Sequence, residues 1–118
     1  MAKKNIATIS NKKAQRKLSF RSAYHISLKE VLLYSVEIFG KRVASEFYSE
    51  IKQKLITLQA MPNMYPKCRF TDSTETKTYR NIIVRSYFII YSVTSTQVTV
   101  IDIMHQSAAP ENMKNRVI

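Results

Sequence analysis

The apolar residues near the C-terminus fall into two short, continuous runs. Residues 87–93 and 98–104 are rich in β-branched and aromatic side chains, and the polar residues 94–97 join them. Runs of this length and composition are typical of strands, and the short connection favours an antiparallel hairpin. Residues 79–85 predict a further short strand, with Ser86 completing a tight reversal into the hairpin.

The middle of the chain has helical spacing instead. Ser27 and Glu30 fit a capping box and predict a helix start at Ser27. Gly40, the only glycine, predicts the end of that helix in the left-handed conformation. A second helix is predicted over residues 41–60, and Pro62 prevents its continuation. The apolar stripe of the first helix is predicted to contain Leu28, Val31, Leu32, Ser35, Ile38 and Phe39. That of the second is predicted to contain Ala44, Phe47, Tyr48, Ile51, Leu55 and Leu58.

These elements predict an α+β fold. The two helices are nearly contiguous and must form an αα-hairpin. Leu18, Phe20 and Ile26 are consistent with a first strand, and residues 67–77 are polar enough for a solvated loop. The expected architecture is an N-terminal strand, the helical hairpin and a three-stranded antiparallel block, forming one curved sheet on the helices. A length of 118 residues fits one domain. We expect a basic flexible tail at 1–16 and a single domain at 17–118.

The charge of the chain predicts an acidic partner. Its 19 Lys and Arg outnumber 8 Asp and Glu, for a net charge of +11. Nucleic acid and an acidic protein both satisfy this electrostatic requirement. No acidic residue precedes Glu30, so the N-terminus has the composition of either a solvated tail or an organellar transit peptide.

The sparse cysteine and histidine content argues against two kinds of site. Cys68 is the only cysteine, and His25 and His105 lie far apart in the sequence, so neither a disulfide framework nor a zinc site is expected. No cofactor is expected either. No apolar run approaches the roughly 20 residues that a membrane-spanning helix needs. We therefore expect a cytoplasmic protein without membrane association.

Residues 17–113 resemble the RelE/ParE superfamily of bacterial toxins. The similarity lies in the αα-hairpin ending at residues 58–62, the run at 79–84, the strand at 87–93 and the ending at 101–105. The resemblance implies a single toxin domain of a type II toxin–antitoxin system, of the kind used in plasmid stabilization, which arrests growth when released from its antitoxin. A small acidic antitoxin would complement the +11 charge and fill an apolar groove between helices and sheet.

Members of that superfamily act on two different targets. Some cut messenger RNA on the ribosome, and others poison DNA gyrase. Metal-free RNA cleavage needs proton transfer and cations around the phosphate. For such a nuclease the catalytic candidates are His105, Arg80 and Arg85, and Tyr87 or Tyr91 could stack on a base. For binding alone, the candidates are Arg80, Tyr87, Tyr91 and His105.

Two departures from the nuclease pattern favour the ParE branch. Phe88 stands where the ribosome-dependent members usually carry an arginine, and residues 106–111 lack the basic residues that usually follow the histidine. We therefore expect a gyrase inhibitor that acts by binding rather than as an enzyme. An mRNA endonuclease and a basic nucleic-acid-binding module are the alternatives.

Each candidate residue also has a purely structural interpretation. His105 can simply end a strand, and Arg80 and Arg85 can solvate an exposed face while their methylenes cover apolar neighbours. Tyr87 and Tyr91 share one strand face with Ile89, which favours packing over stacking.

Overall fold

A computed structural model describes residues 16–68 and 72–108 of the chain. Its first strand, β1, spans Lys17–Phe20, and two helices follow, α1 at Ser22–Phe39 and α2 at Lys41–Ile56. Three further strands complete the fold, β2 at Thr78–Val84, β3 at Tyr87–Val93 and β4 at Gln97–His105. A short 3₁₀ helix occupies Gln106–Ala108. The predicted element order and the α+β class are confirmed.

The start of α1 differs from the prediction. The helix begins at Ser22, directly after the extended N-cap Arg21, so Ser27 and Glu30 lie inside the helix and the predicted capping box is wrong. Ile26 consequently belongs to α1 and not to the first strand. The physical reason is burial: Tyr24 enters the core only if the chain turns into a helix as soon as β1 ends.

Gly40 joins the two helices. Its N–H donates to the Val36 carbonyl at 2.9 Å, closing α1, and its φ of 90° is one that side-chain-bearing residues rarely adopt. Its ψ of 168° is extended, so the predicted cap is present although the backbone is not left-handed helical as expected. The same residue is the N-cap of α2, which makes the reversal between the helices very tight.

The end of α2 and two apolar stripes also need correction. The helix stops at Ile56 rather than at residue 60, because the chain turns at 57–60 while Leu58 still reaches the core. Tyr48 is 40% exposed and is not part of the buried stripe. Ile38 and Phe39 are likewise exposed and do not belong to the buried stripe.

The sheet has the order β1-β4-β3-β2. The two pairings among the last three strands are antiparallel, as predicted, whereas β1 runs parallel to β4. Arg85 and Ser86 form the two-residue loop between β2 and β3, and Arg85 has a φ of 56° there. A β-bulge interrupts the β3–β4 register beside Tyr91.

The predicted solvated loop at 67–77 is partly tied to the sheet. Lys67 forms an antiparallel bridge with Arg80, and the Cys68 amide donates to the Tyr79 carbonyl at 2.7 Å. Cys68 is buried with Ile90, Ile101 and Met104. The main core lies on the opposite face of the sheet, where β2, β3 and β4 pack against both helices.

The predicted tail at 1–16 falls almost wholly outside the described residues. Arg16, its last member, is hydrogen-bonded: its Nε donates to the Thr94 carbonyl at 2.8 Å, and its amide donates to the Gln59 carbonyl at 3.3 Å. The division of the chain into tail and domain stays a prediction.

Candidate functional site

The strand register brings two of the predicted residues together. Tyr87 opens β3 and lies directly opposite His105 at the end of β4. Their rings meet edge to face with centroids 5.2 Å apart, and the other side of Tyr87 packs on Phe47 of α2 at 5.4 Å. The Tyr87 ring is therefore held between a core aromatic and an exposed imidazole.

Hydrogen bonds to Ser107 fix the orientation and the tautomer of the His105 ring. The Ser107 amide donates to Nδ1 at 3.1 Å, and the Ser107 hydroxyl lies 2.9 Å from the same nitrogen. Because a backbone N–H can only donate, Nδ1 carries a lone pair and the proton of the neutral ring lies on Nε2. His105 ends the strand in an exposed position, as the sequence predicted.

These residues line a cleft of about 570 Å³ between the end of α1 and the ends of β3 and β4. We call it the end cleft, and its lining residues are Tyr34, Phe39, Ser86, Tyr87, His105 and Ser107. Burial, together with the nearby Tyr34, raises the pKa of the Tyr87 phenol above its ordinary value. Among residues 16–68 and 72–108, no Lys or Arg lines the cleft.

Arg85 lies near the cleft but is already engaged. Its guanidinium donates to Glu50 Oε2 of α2 from Nη2 at 3.0 Å and from Nε at 3.3 Å. It also lies over the Phe47 ring, with Cζ 5.4 Å from the centroid. Arg85 thus links the β2–β3 turn to α2, and its charge is balanced by a carboxylate.

Arg80 and Tyr91 lie at the other end of the sheet. They are opposite each other in the β2–β3 register, four residues along β3 from Tyr87, or about 13 Å. The Arg80 Nη1 donates to the Tyr65 carbonyl at 2.7 Å, and the Tyr91 hydroxyl donates to the Pro62 carbonyl at 2.8 Å. Both side chains hold the 62–65 turn on the sheet.

Tyr91 is fully buried, so its ring offers no face to a nucleobase. Burial also raises the pKa of its phenol, against the opposing influence of Arg80. The Nε of Arg80 is buried and has no hydrogen-bond partner. The predicted binding set is therefore divided, with Tyr87 and His105 at the start of β3 and Arg80 and Tyr91 four residues further along it. Arg85, a catalytic candidate only, lies near the first pair.

The hairpin creates a second concave surface, which the sequence analysis missed. Two adjoining depressions of about 350 and 390 Å³ run along α1 and α2 and share His25, Leu28 and Tyr48. We call them the hairpin groove. Lys52 and Ile56 lie at the β1 end of this groove, and Lys29 and Leu33 lie at the other end. The sequence feature that could have revealed the groove is that the two helices carry more apolar residues than one buried stripe each requires.

Two negative findings apply to the described ranges, 16–68 and 72–108. Within them, no three or more Cys, His, Asp or Glu side chains are grouped as a metal site would require. No helix there combines the length and the apolar character needed to cross a membrane.

Comparison with known proteins identifies the family. A family model described as the ParE toxin of the parDE type II toxin–antitoxin system matches residues 11–110, which is most of the chain. The chain belongs to the ParE toxin family. It is thus the toxin component of a type II toxin–antitoxin system, within the RelE/ParE superfamily that the sequence resembled.

Solved structures agree with the ParE fold. The chain is similar to a chain of the chromosomal ParDE toxin–antitoxin system from P. aeruginosa, with a TM-score of 0.62 and 14% identity over 78% of this chain and 97% of that one. It is also similar to a chain of the archaeal RelE–RelB complex from Pyrococcus horikoshii OT3, with a TM-score of 0.53 and 12% identity over 80% and 99%. A search of curated proteins found no significant match.

Proposed function

We propose that this ParE-family toxin arrests growth in the cytoplasm by binding DNA gyrase, without cleaving RNA. The observation that carries the proposal is the separation of the groups that cleavage requires. His105 lies opposite Tyr87 and Arg80 lies opposite Tyr91, four residues further along β3, and Arg85 is paired with Glu50. Efficient metal-free RNA cleavage combines proton transfer with cations around the same phosphate.

Phe88 supports the same conclusion. It occupies the second position of β3, where its ring packs with Ile90 and Met104 on the sheet face turned away from the helices. A phenyl ring cannot balance the charge that builds on a phosphorane. The described lining of the end cleft, which holds the imidazole, contains no Lys or Arg.

We further propose that an acidic antitoxin segment occupies the hairpin groove. The groove is lined mainly by apolar and aromatic side chains, and Lys29 and Lys52 contribute positive charge at its two ends. An amphipathic segment with apolar anchors and flanking carboxylates fits such a surface. The +11 charge of the toxin would accelerate association with this partner.

Purified toxin tests the proposed target. We expect loss of DNA supercoiling by gyrase at substoichiometric to stoichiometric toxin, and no cleavage of messenger RNA on translating ribosomes. Codon-positioned cleavage with gyrase unaffected would support the endonuclease alternative instead. If neither occurs and the protein binds nucleic acid in a strongly salt-dependent way, the binding-module alternative is favoured.

A further inference from the structure

The C-terminal half of α1 exposes an unusual amount of apolar surface. Five large apolar residues among positions 33–39 are solvent-exposed, namely Leu33, Tyr34, Val36, Ile38 and Phe39. Tyr34 is 55% exposed and Phe39 is 62% exposed, and both line the end cleft. Leu33 and Val36 line the hairpin groove, so Tyr34 and Phe39 are the members of this set that line the end cleft. Exposed apolar side chains gathered at a cleft mark interaction sites in soluble proteins.

We propose that the end cleft and its two α1 aromatics form the surface that engages gyrase, and that the toxin makes this contact with protein and not with DNA. The assignment rests on the proposed function. It adds where on the toxin the contact lies and what the target must present there. The target is expected to insert an apolar or aromatic side chain that is flanked by hydrogen-bond acceptors.

The described lining of the cleft favours protein over nucleic acid. A nucleic-acid site uses Lys and Arg to neutralise phosphates. The end cleft is lined by aromatic rings, an imidazole and two serines in a chain of net charge +11. A surface that is aromatic and poor in charge is typical of the centre of a protein–protein interface.

Rigid elements hold the cleft open for a partner. Tyr87 is fixed between Phe47 and His105, and the Arg85 pair with Glu50 fastens the adjoining turn to α2. The Gln106 amide donates to the Ser86 carbonyl at 2.8 Å, and its side chain donates to the Arg85 carbonyl at 3.1 Å. A preformed pocket loses little entropy when an anchor side chain enters it.

Hydrogen-bond donors are also available at the rim. With Nδ1 engaged by Ser107, the neutral His105 ring presents its Nε2 proton as the remaining ring donor. The Tyr87 phenol is protonated near neutral pH, as tyrosine ordinarily is. Both can donate to carbonyl groups of a protein anchor segment.

The end cleft and the hairpin groove involve different residues. Their lining residues do not overlap, so toxicity and neutralisation by the antitoxin should respond to different substitutions. This separation makes the assignment testable in one set of variants.

The test measures gyrase supercoiling against increasing concentrations of full-length toxin. Phe39→Ala, Tyr34→Ala and the double variant remove exposed side chains, so folding should persist and can be checked by circular dichroism. Ile26→Ala is the matched control, because Ile26 is 61% exposed on the same helix but lies outside the cleft. We expect the concentration that half-inhibits gyrase to be at least tenfold higher for the double variant than for wild-type toxin. For the Ile26→Ala control it should rise less than twofold.

The outcomes separate the two proposals. Wild-type toxin that leaves gyrase active overturns both the proposed function and this surface. If wild-type toxin inhibits gyrase and the half-inhibiting concentration of the double variant is within twofold of the wild-type value, only the proposed surface is overturned. A third outcome would assign the contact to DNA and likewise overturn the surface. In that case the toxin concentration for half-inhibition would rise steeply with salt and with Lys or Arg substitutions, and Phe39→Ala would have no effect.

Discussion

Arg85 and Glu50 form an ion pair that joins the β2–β3 turn to α2, with Nη2 and Oε2 3.0 Å apart. The pair is formed by a residue whose backbone is strained, since Arg85 has a φ of 56°. At Arg85 the ion pair therefore stabilises the fold while the backbone strain destabilises it. Substitutions at this position can separate the two effects.

Arg85→Ala should cost more stability than Arg85→Gly. Both lose the ion pair, which is worth less than about 1 kcal/mol because the side chains are 41% and 42% exposed to screening solvent. Only glycine relieves the positive φ, which costs other residues roughly 1–2 kcal/mol. The free energy of unfolding, measured in urea, should therefore be about 1 kcal/mol higher for Arg85→Gly than for Arg85→Ala. An alanine variant as stable as the glycine variant would show that the turn is not strained.

Tyr91→Phe should destabilise the fold without altering the exposed surface. The substitution leaves the buried Pro62 carbonyl without the hydroxyl that donates to it at 2.8 Å, at a cost of roughly 1–3 kcal/mol. Tyr48→Phe is the control, because Tyr48 is exposed and should change the free energy of unfolding by less than about 0.5 kcal/mol. Equal effects of the two substitutions in urea titrations would contradict the assigned role of the buried hydroxyl.

His105→Gln separates binding from acid–base catalysis. Glutamine keeps a hydrogen-bonding side chain at the rim of the end cleft but cannot transfer protons near neutral pH. We expect less than a tenfold rise in the toxin needed for growth arrest. A nuclease that lost its proton-transfer group should be impaired about 10²-fold or more. Dose-dependent growth curves distinguish these outcomes, and the larger loss would revive the endonuclease alternative.

Ile56→Glu together with Lys52→Glu should impair neutralisation while leaving toxicity intact. Both residues line the hairpin groove, where two new carboxylates would repel an acidic segment. When the antitoxin is co-expressed, at least tenfold fewer cells should form colonies with the double variant than with wild-type toxin. Ile83→Glu is the control, since Ile83 is similarly exposed on β2 outside the groove. Full rescue of the double variant would place the antitoxin elsewhere.

Alkaline pH should destabilise the protein through Tyr24. Burial, with a smaller contribution from Tyr48, raises the pKa of Tyr24 from 10.0 to about 12. Above pH 10 the unfolded chain releases a proton that the folded chain retains, so the free energy of unfolding falls until about pH 12. Tyr24→Phe should reduce the slope of stability against pH between 10 and 12, measured by urea unfolding. An unchanged slope would refute the assignment to Tyr24.

The periodicity of the chain was enough to predict the strands and the αα-hairpin. The runs at 87–93 and 98–104 became β3 and most of β4, because continuous β-branched and aromatic runs are buried on both sheet faces. The local signal failed at the start of α1. A capping box at Ser27 and Glu30 describes a favourable helix end, but burial of Tyr24 begins the helix earlier, and tertiary packing outweighs a cap worth about 1 kcal/mol.

The candidate site was only partly visible in the sequence. His105 at an exposed strand end followed from the pattern, whereas Tyr34, Phe39 and Ser107 of the end cleft did not. Residues 34 and 39 meet the β4 end only because the hairpin folds back over the sheet. Helical periodicity predicts Ile38 and Phe39 in the buried stripe, but periodicity alone does not show which positions of the stripe another element covers.

The sequence by itself determined the α+β order, the basic charge and the kinship with RelE/ParE toxins, because those depend on local periodicity and on residue identity. The tertiary structure decided which charged groups act together. It separated Arg80 from His105 and paired Arg85 with Glu50, since strand register and helix placement set distances between residues far apart in the chain. Those distances are the basis of the proposal that the toxin binds a protein target and does not cleave RNA.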